Sequence, residues 1–205
     1  MFSGIIEAKS KVLEFKPLDP EYPQNLVRIQ VAKPTTFNDI KTGDSIAVNG
    51  ICLTVEKFND EWVQFALGHE TLKIANWNEK TLSACELNLE RSLRIGDRVH
   101  GHFVTGHVDG RAEVMKSYDQ GGSWMLDIKI PANIAAFVWP KGSLALNGVS
   151  LTINSIEKDI LGFCLIPETV QRTNLASLKP GDSILVEADQ MARALVRRET
   201  LNELN

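Results

Sequence analysis

Three histidines, His100, His102 and His107, fall within eight residues of one another near the middle of the chain. Imidazoles titrate near neutral pH, so such a group offers proton transfer or metal ligation. His100 and His102 share one strand face at a spacing of two. No second cysteine or carboxylate cluster stands at ligand spacing, however, and metal binding is not expected. Cys52 and Ser150 are small potential nucleophiles, each two residues ahead of a threonine, Thr54 and Thr152. These groups suit hydrogen bonds to the polar edge of a flat heterocycle. For Cys52 alone the plainer reading is a small residue packed inside a barrel, and a nucleophile needs an adjacent base, which sequence does not reveal. Glu70-Thr71 and Glu168-Thr169 read equally as helix caps or ligand contacts. Neither a G-x-G-x-x-G nor a P-loop occurs, so no phosphate-bearing cofactor is expected.

The candidates come in pairs because the chain repeats itself. Asn49-Gly50-Ile51-Cys52-Leu53-Thr54 returns 98 positions later as Asn147-Gly148-Val149-Ser150-Leu151-Thr152, and His69-Glu70-Thr71 is answered by Pro167-Glu168-Thr169 at the same offset. Ser3-Gly4-Ile5-Ile6-Glu7 is answered by Thr105-Gly106-His107-Val108-Asp109 at an offset of 102. The drift of four places extra residues in the first half, most simply in the proline-containing loop 17–23. A repeat of about half the chain has the size of a small domain. We read three parts: a first barrel over 1–98, a second over 99–189, and a terminal helix over 190–205 with Met191 and Leu195 on one side. Within this frame His107 stands out, because its repeat partner is the apolar Ile5. One half-site has gained a titratable group where the other has none.

The elements that must carry these residues are mostly short strands. Alternation predicts strands over 1–16, 26–31, 45–48, 52–55, 62–67 and 86–90, then over 104–115, 124–130, 143–146, 151–156, 162–166 and 184–187. Short helices are expected over 32–40, 71–77 and 134–138. Asn49-Gly50 between apolar runs is the strongest short hairpin signal available. Such a chain reads as all-β, a barrel or sandwich, rather than α/β. The mild net charge of −4 argues against a nucleic-acid binder. No apolar run approaches membrane-spanning length, and no basic start leads into an apolar core. Three cysteines, an odd number, suit reduced thiols in the cytoplasm.

Met1-Phe2-Ser3-Gly4-Ile5-Ile6-Glu7, Asn49–Thr54, Gly101-His102-Phe103-Val104-Thr105-Gly106-His107-Val108-Asp109-Gly110, Asn147–Thr152 and Ile166-Pro167-Glu168-Thr169 together closely resemble the riboflavin synthase family. The match runs in order over nearly the whole chain and includes the duplication. The resemblance implies two six-stranded antiparallel Greek-key barrels plus a C-terminal helix, assembled as a homotrimer. It implies dismutation of two 6,7-dimethyl-8-ribityllumazine molecules by four-carbon transfer, giving riboflavin and 5-amino-6-ribitylamino-2,4(1H,3H)-pyrimidinedione, without metal or cofactor. It also implies a site formed between the first barrel of one subunit and the second barrel of its neighbour, and lumazine synthase as a partner. By position, the first-barrel contacts are Gly4, Ile5, Ile6, Cys52, Leu53, Thr54, Ala66, Leu67, Gly68, His69, Glu70 and Thr71. The second-barrel contacts are Gly106, His107, Val108, Lys141, Ser150, Leu151, Thr152, Leu165, Ile166, Pro167, Glu168, Thr169 and Val170. Phe2, Ser45, Cys52, His102, His107, Ser150 and Thr152 fall on positions that line or serve the catalytic site, with His107, Ser150 and Cys52 foremost.

The chain departs from the family at three places. Asn147 stands where relatives commonly carry Asp, so restoring Asp there is expected to hold or raise activity. His69 stands where proline or lysine is common, and Val99-His100 replaces residues that are commonly small. Two other readings compete. A non-catalytic lumazine- or flavin-binding paralogue is favoured by Asn147 but opposed by His107, Ser150 and Thr152. A flavin-reductase-type barrel is opposed by the lack of a following nucleotide-binding half.

Overall fold

The computed structural model describes residues 1–18, 21 and 26–203. The first half contributes β1 (Ala8–Ser10), β2 (Val12–Pro17), β3 (Leu26–Ala32), β4 (Ser45–Val48), β5 (Ile51–Phe58), β6 (Trp62–Gly68) and β7 (Leu87–Arg91). They form one antiparallel sheet in the order β1-β7-β4-β5-β6-β3-β2. Its two edges, β1 and β2, are neighbours in the chain with only Lys11 between them. The sheet therefore curls until one bent strand serves both edges, and the seven segments make a six-stranded barrel. The second half contributes β8 (Gly110–Gln120), β9 (Ser123–Lys129), β10 (Ser143–Leu146), β11 (Val149–Thr152), β12 (Ser155–Glu157), β13 (Ile160–Leu165) and β14 (Ser183–Ala188). Their order is β11-β10-β14-β8-β9-β13-β12, and here the shared edge is β11 with β12, bent at Ile153-Asn154. Closure of this kind leaves no long open edge to pair with another chain. In each barrel the connections that skip over the central hairpin give a Greek-key order.

Period-two alternation fills the barrels. In β6, Val63, Phe65 and Leu67 are buried while Trp62, Gln64 and Ala66 are half-buried on the outside. The helices cover the barrel ends: α1 (His69–Ala75), α2 (Glu79–Ser83), α3 (Pro167–Arg172) and α4 (Gln190–Glu203), with 3-10 turns over Ala132–Phe137 and Leu175–Ser177. Among the described residues, no helix is long and apolar enough to cross a membrane.

Several local expectations need correction. Residues 1–7 are not the start of a barrel strand: Phe2 makes an isolated bridge to Val104 and β1 begins at Ala8. Likewise Val104 precedes β8, which starts at Gly110. No helix forms over 32–40, where Pro34 begins a turn closed by Phe37 N–H on Pro34 O at 2.9 Å. The helix expected over 71–77 runs from His69 to Ala75, and α2 follows it with an Asn78–Thr81 capping box. Neither Glu70-Thr71 nor Glu168-Thr169 caps a helix. Gly68 and Ile166 occupy those N-caps without side-chain bonds, and Glu70 and Glu168 sit in the first turns, where negative charge suits the helix dipole. Pro17 ends β2, and the loop expected to hold the extra residues lies largely outside the described residues.

The two barrels meet about a local twofold relation. Asn49-Gly50 and Asn147-Gly148 are two-residue turns with positive φ throughout (45° and 81°, 45° and 80°), the I′ type that matches strand twist. They touch backbone to backbone: a Cβ on Gly50 would lie 2.6 Å from Gly148 N, and one on Gly148 would lie 2.7 Å from Gly50 N. Phe2, Val104, Ala47 and Ala145 make a small apolar core on the same axis. The segments leading into the barrels then cross over. Ile6, from the first half, is buried in the second barrel's core, and Val108, from the second, packs on the first barrel's core. Burying an aliphatic side chain of this size stabilises by about 1.5–3 kcal/mol, so these crossings hold the halves together.

Four asparagines complete the interface. Asn174 Nδ2 donates to Asn49 Oδ1 (3.0 Å) and to Glu86 O (2.8 Å), while its Oδ1 accepts from Asn88 Nδ2 (3.0 Å) and Asn147 Nδ2 (3.2 Å). Asn147 Oδ1 in turn accepts from Leu185 N–H at 3.0 Å. Asn147 is thus an interface amide using both ends of its side chain. An aspartate in its place would keep the Leu185 bond but set a carboxylate against Asn174 Oδ1, and Asn174 is held from flipping by Asn49 and Glu86. We therefore expect Asn147→Asp to destabilise the fold by about 1–3 kcal/mol. Chemical denaturation checks this, and an unchanged midpoint would show that the network tolerates a carboxylate.

Candidate active site

Each barrel carries a seam where its ladder stops. β5 pairs with β6 only from Val55 onward, so Ile51–Thr54 face Ala66–Gly68 without ladder bonds. In the second barrel β12 pairs with β13, but β11 pairs only with β10, leaving Val149–Thr152 opposite Phe163–Leu165. The seams open for the same reason in both halves. The strand bends, at a register shift between Val55 and Lys57 or at the break between β11 and β12, and its first part follows the neighbouring hairpin. Backbone left free along a seam can bond the edge of a flat polar molecule as an added strand would.

The contacts expected at Cys52, Thr54, Ala66, Gly68, Ser150 and Thr152 line these two seams, with α1 and α3 starting at their ends. Cys52 and Ser150 lie on the outer barrel face, alternating with the inward Leu53 and Leu151, so the packed-inside reading of Cys52 is overturned. Leu53, Leu67, Leu151, Leu165 and Ile6 are core residues and offer a ligand only their backbone. Ile166, Pro167, Glu168, His69 and Glu70 are exposed at the helix starts, and Thr71, Thr169 and Val170 are half-buried there. Phe2 is fully buried on the axis and presents no ring to a ligand in this chain. Lys141 is exposed with φ 69°, the left-handed position that Gly43 fills in the first half. The two equivalent turns thus differ, with a non-glycine residue in the left-handed region in the second half alone.

The entry segments cap the seams crosswise, which the sequence reading did not anticipate. Ser150 N–H donates to Gly4 O at 2.8 Å, and Cys52 N–H to Gly106 O at 2.9 Å. A Cβ on Gly4 would lie 2.6 Å from Ser150 Cβ, and one on Gly106 would lie 2.5 Å from Cys52 Cβ, so both must be glycine. Gly4, Ile5 and Ile6 therefore belong with the second barrel, and Gly106, His107 and Val108 with the first. Ser150 meets His102 rather than His107: its Oγ lies 2.7 Å from His102 Nδ1, and Gly101 leaves the room for this approach. Burial holds the His102 imidazole below its ordinary value, partly offset by the charges of Asp189 and Glu187. Its Nε2 is buried without a partner. A neutral imidazole on a serine hydroxyl is a base with a relay, and the direction of the shared proton depends on the tautomer. No histidine is hydrogen-bonded to Cys52 among the described residues, so the half-sites are chemically unequal.

The remaining candidates frame this pair. His107 is exposed, its carbonyl accepting from Arg193 Nη2 of α4 at 3.3 Å. The same guanidinium nitrogen pairs with Asp109 Oδ2 at 2.6 Å, tying the terminal helix to the entry segment. His100, with Ser45 and Ile5, borders a cavity of about 1010 Å³ that includes Arg91, Arg94 and Arg98. Neither Cys52 nor Ser150 lines that cavity. The described residues hold no cluster of three metal-ligating side chains. Missed by the sequence reading were Glu90, Glu187, Asp109 and Asp189. Glu90 and Glu187 are repeat partners in the alternating last strand of each barrel, a signal that was present but looked like ordinary strand polarity.

The profile of the family described as "Lumazine binding domain" matches residues 3–92 and 105–189, one match per barrel. The chain is 38% identical to the riboflavin synthase of Brucella abortus (strain 2308), over 96% of this chain and 97% of that protein. It is 36% identical to the riboflavin synthase of Photobacterium phosphoreum, over 96% and 88% of the two chains. The crystal structure of LumP complexed with 6,7-dimethyl-8-(1'-D-ribityl) lumazine superposes with a TM-score of 0.79 at 24% identity, over 92% of this chain and 99% of that one. This is thus a duplicated barrel protein with two unequal half-sites. It belongs to the lumazine-binding-domain family.

The placement of His102 has a measurable consequence. Its folded value lies below the unfolded one, so the unfolded chain takes up the proton first as pH falls below about 6.5. His102 then withdraws stability in that window and contributes none of this effect above it. Asp189→Asn removes a charge that raises the value, so the imidazole should titrate lower still. NMR titration of the His102 ring in both proteins checks this, and an upward or absent shift would contradict the contact.

Proposed function

We infer that this protein is a transferase catalysing the riboflavin synthase reaction. Two molecules of 6,7-dimethyl-8-ribityllumazine dismutate, one giving up four carbons to the other. The products are riboflavin and 5-amino-6-ribitylamino-2,4(1H,3H)-pyrimidinedione. The equation balances with no net water, oxidant or reductant, so no co-substrate is consumed. The observation that carries the reading is the pair of equivalent seams of which only one holds a serine–histidine pair. Identical substrates must act as donor and acceptor, and unequal sites assign those roles. Held face to face, two reactants can gain about 7–11 kcal/mol from proximity and orientation.

In this reading each seam holds one lumazine through its backbone and through Thr54 or Thr152. The His102–Ser150 pair moves the proton that must leave a lumazine 7-methyl, and a nucleophile adds at C7 of the partner. Lys141 reaches the second seam, and His107 and Cys52 serve the first. The seams are open in a single chain, so we place the complete site between the first barrel of one subunit and the second barrel of another, in a cytoplasmic homotrimer. Met191 and Leu195 support assembly: both are exposed on one face of α4, 65% and 59%. The parts act as 1–98, 99–189 and 190–205. Association with lumazine synthase belongs to the same reading and is testable by co-sedimentation.

Incubated with 6,7-dimethyl-8-ribityllumazine alone, the protein should form one riboflavin for every two lumazines consumed, followed by chromatography. Tight binding without riboflavin would instead identify a carrier paralogue, and a requirement for added metal or NAD(P)H would remove the assignment. Truncation after residue 189 should lower turnover and shift sedimentation below a trimer while both barrels keep their far-UV spectrum. An unchanged trimer would place assembly elsewhere.

A further inference from the structure

Two buried carboxylates lie outside the chemistry above and are arranged alike. Glu90, in β7, receives Ser3 N–H at 2.7 Å and the Ser3 hydroxyl at 2.9 Å on one oxygen, and Gly4 N–H at 3.0 Å on the other. Glu187, in β14, receives Thr105 N–H at 2.7 Å and the Thr105 hydroxyl at 2.6 Å, and Gly106 N–H at 2.9 Å. They are 3% and 2% exposed, and neither pairs with a cation among the described residues. Burial pushes the Glu90 carboxyl up to about 7, against the pull of bonds from Ser3, Ile5 and Gly4. A buried carboxylate without a cation is costly even when hydrogen-bonded, yet one stands at the equivalent place in each barrel.

What each carboxylate grips explains the cost. The Ser3-Gly4 segment held by Glu90 offers Gly4 O to Ser150 N–H, and the Thr105-Gly106 segment held by Glu187 offers Gly106 O to Cys52 N–H. Each chain of bonds starts in one barrel and ends on the seam of the other. We propose that Glu90 and Glu187 are positioning residues that set the opposite barrel's seam: Glu90 places Ser150, and with it the bond to His102, while Glu187 places Cys52. This rests on the dismutase reading for its catalytic meaning but not for its geometry. An apolar side chain in either place would leave two backbone N–H groups unpaired. The carboxylates satisfy them and fix the position of two backbone carbonyls, and so couple the two half-sites within one chain.

Glutamine separates these roles. In Glu90→Gln the carbonyl can still accept from Ser3, but its NH2 faces Gly4 N–H, donor against donor, so Gly4 is released selectively. By NMR hydrogen exchange, Glu90→Gln should speed exchange of the Ser150 amide about tenfold or more while leaving Cys52 unchanged, and Glu187→Gln should do the reverse. Turnover should follow the same crossing. Glu90→Gln with Ser150→Ala should cost far less than the product of the single effects, whereas Glu90→Gln with Cys52→Ala should multiply. Should either glutamine variant fail to fold, Ser3→Ala and Thr105→Val remove one donor each and should give the same crossed pattern more weakly. Equal speeding at both amides, or at neither, would overturn the proposal, as would multiplying effects for Glu90 with Ser150. Absence of riboflavin formation by the unaltered protein would sink the dismutase reading alone, because the exchange pattern needs no substrate.

Discussion

The structure depends on the contact between two tight turns. Gly50 and Gly148 meet with no room for a Cβ on either, so the hairpins carrying Cys52 and Ser150 approach as closely as two backbones can. Each of these hairpins also bends away from the strand that follows it in the barrel. Their outer faces are turned toward the other half, and the ladder to the following strand is broken. The crossed entry segments and the small core around Phe2 are gathered about this contact. A larger residue at either glycine would have to separate the barrels before it could be accommodated.

Polar groups buried by that approach are satisfied in two ways. Around the turns, amides answer amides: Asn88, Asn147 and Asn174 use side-chain donors and acceptors together, which a carboxylate could not do, and Asn49 Oδ1 accepts twice. Under the entry segments, carboxylates answer clusters of N–H and O–H donors. An interior of low dielectric strengthens such bonds and makes any unpaired member expensive, which explains how an interface rich in polar atoms can hold two barrels in one orientation.

The duplication supplied symmetry, and a few residues removed it where chemistry needs inequality. Ser150 Oγ has His102 Nδ1 beside it, while no histidine is hydrogen-bonded to Cys52 among the described residues. Lys141 takes a strained turn position where Gly43 sits in the first half. Arg193 reaches from the terminal helix to Asp109 and the His107 carbonyl, whereas the equivalent Glu7 is held by Arg91 from β7. Each change lies on a surface the barrels do not need for closure, so it could be made without disturbing either core.

The sequence by itself determined the duplication, the all-β class, the hairpins and the terminal helix, because these are local: alternation, Asn-Gly turns and a fixed offset are written in neighbouring residues. It also brought Cys52, Ser150, Thr54 and Thr152 forward as site residues, since their positions repeat in register. It misread residues 1–7 as barrel strand, since their apolar start carries nothing to show that the partners of Phe2 and Ile6 lie in the other half. It put His107 ahead of His102 because the repeat partner of His107 is apolar, and it paired neither with Ser150, since that proximity is set by where Gly101 allows the chain to pass. Glu90 and Glu187 looked like ordinary strand charges, and only the folded chain shows them buried under Ser3 and Thr105. What the tertiary structure alone decided is which segment crosses to which barrel. That choice rests on contacts between residues about a hundred positions apart, about which local propensity carries no information.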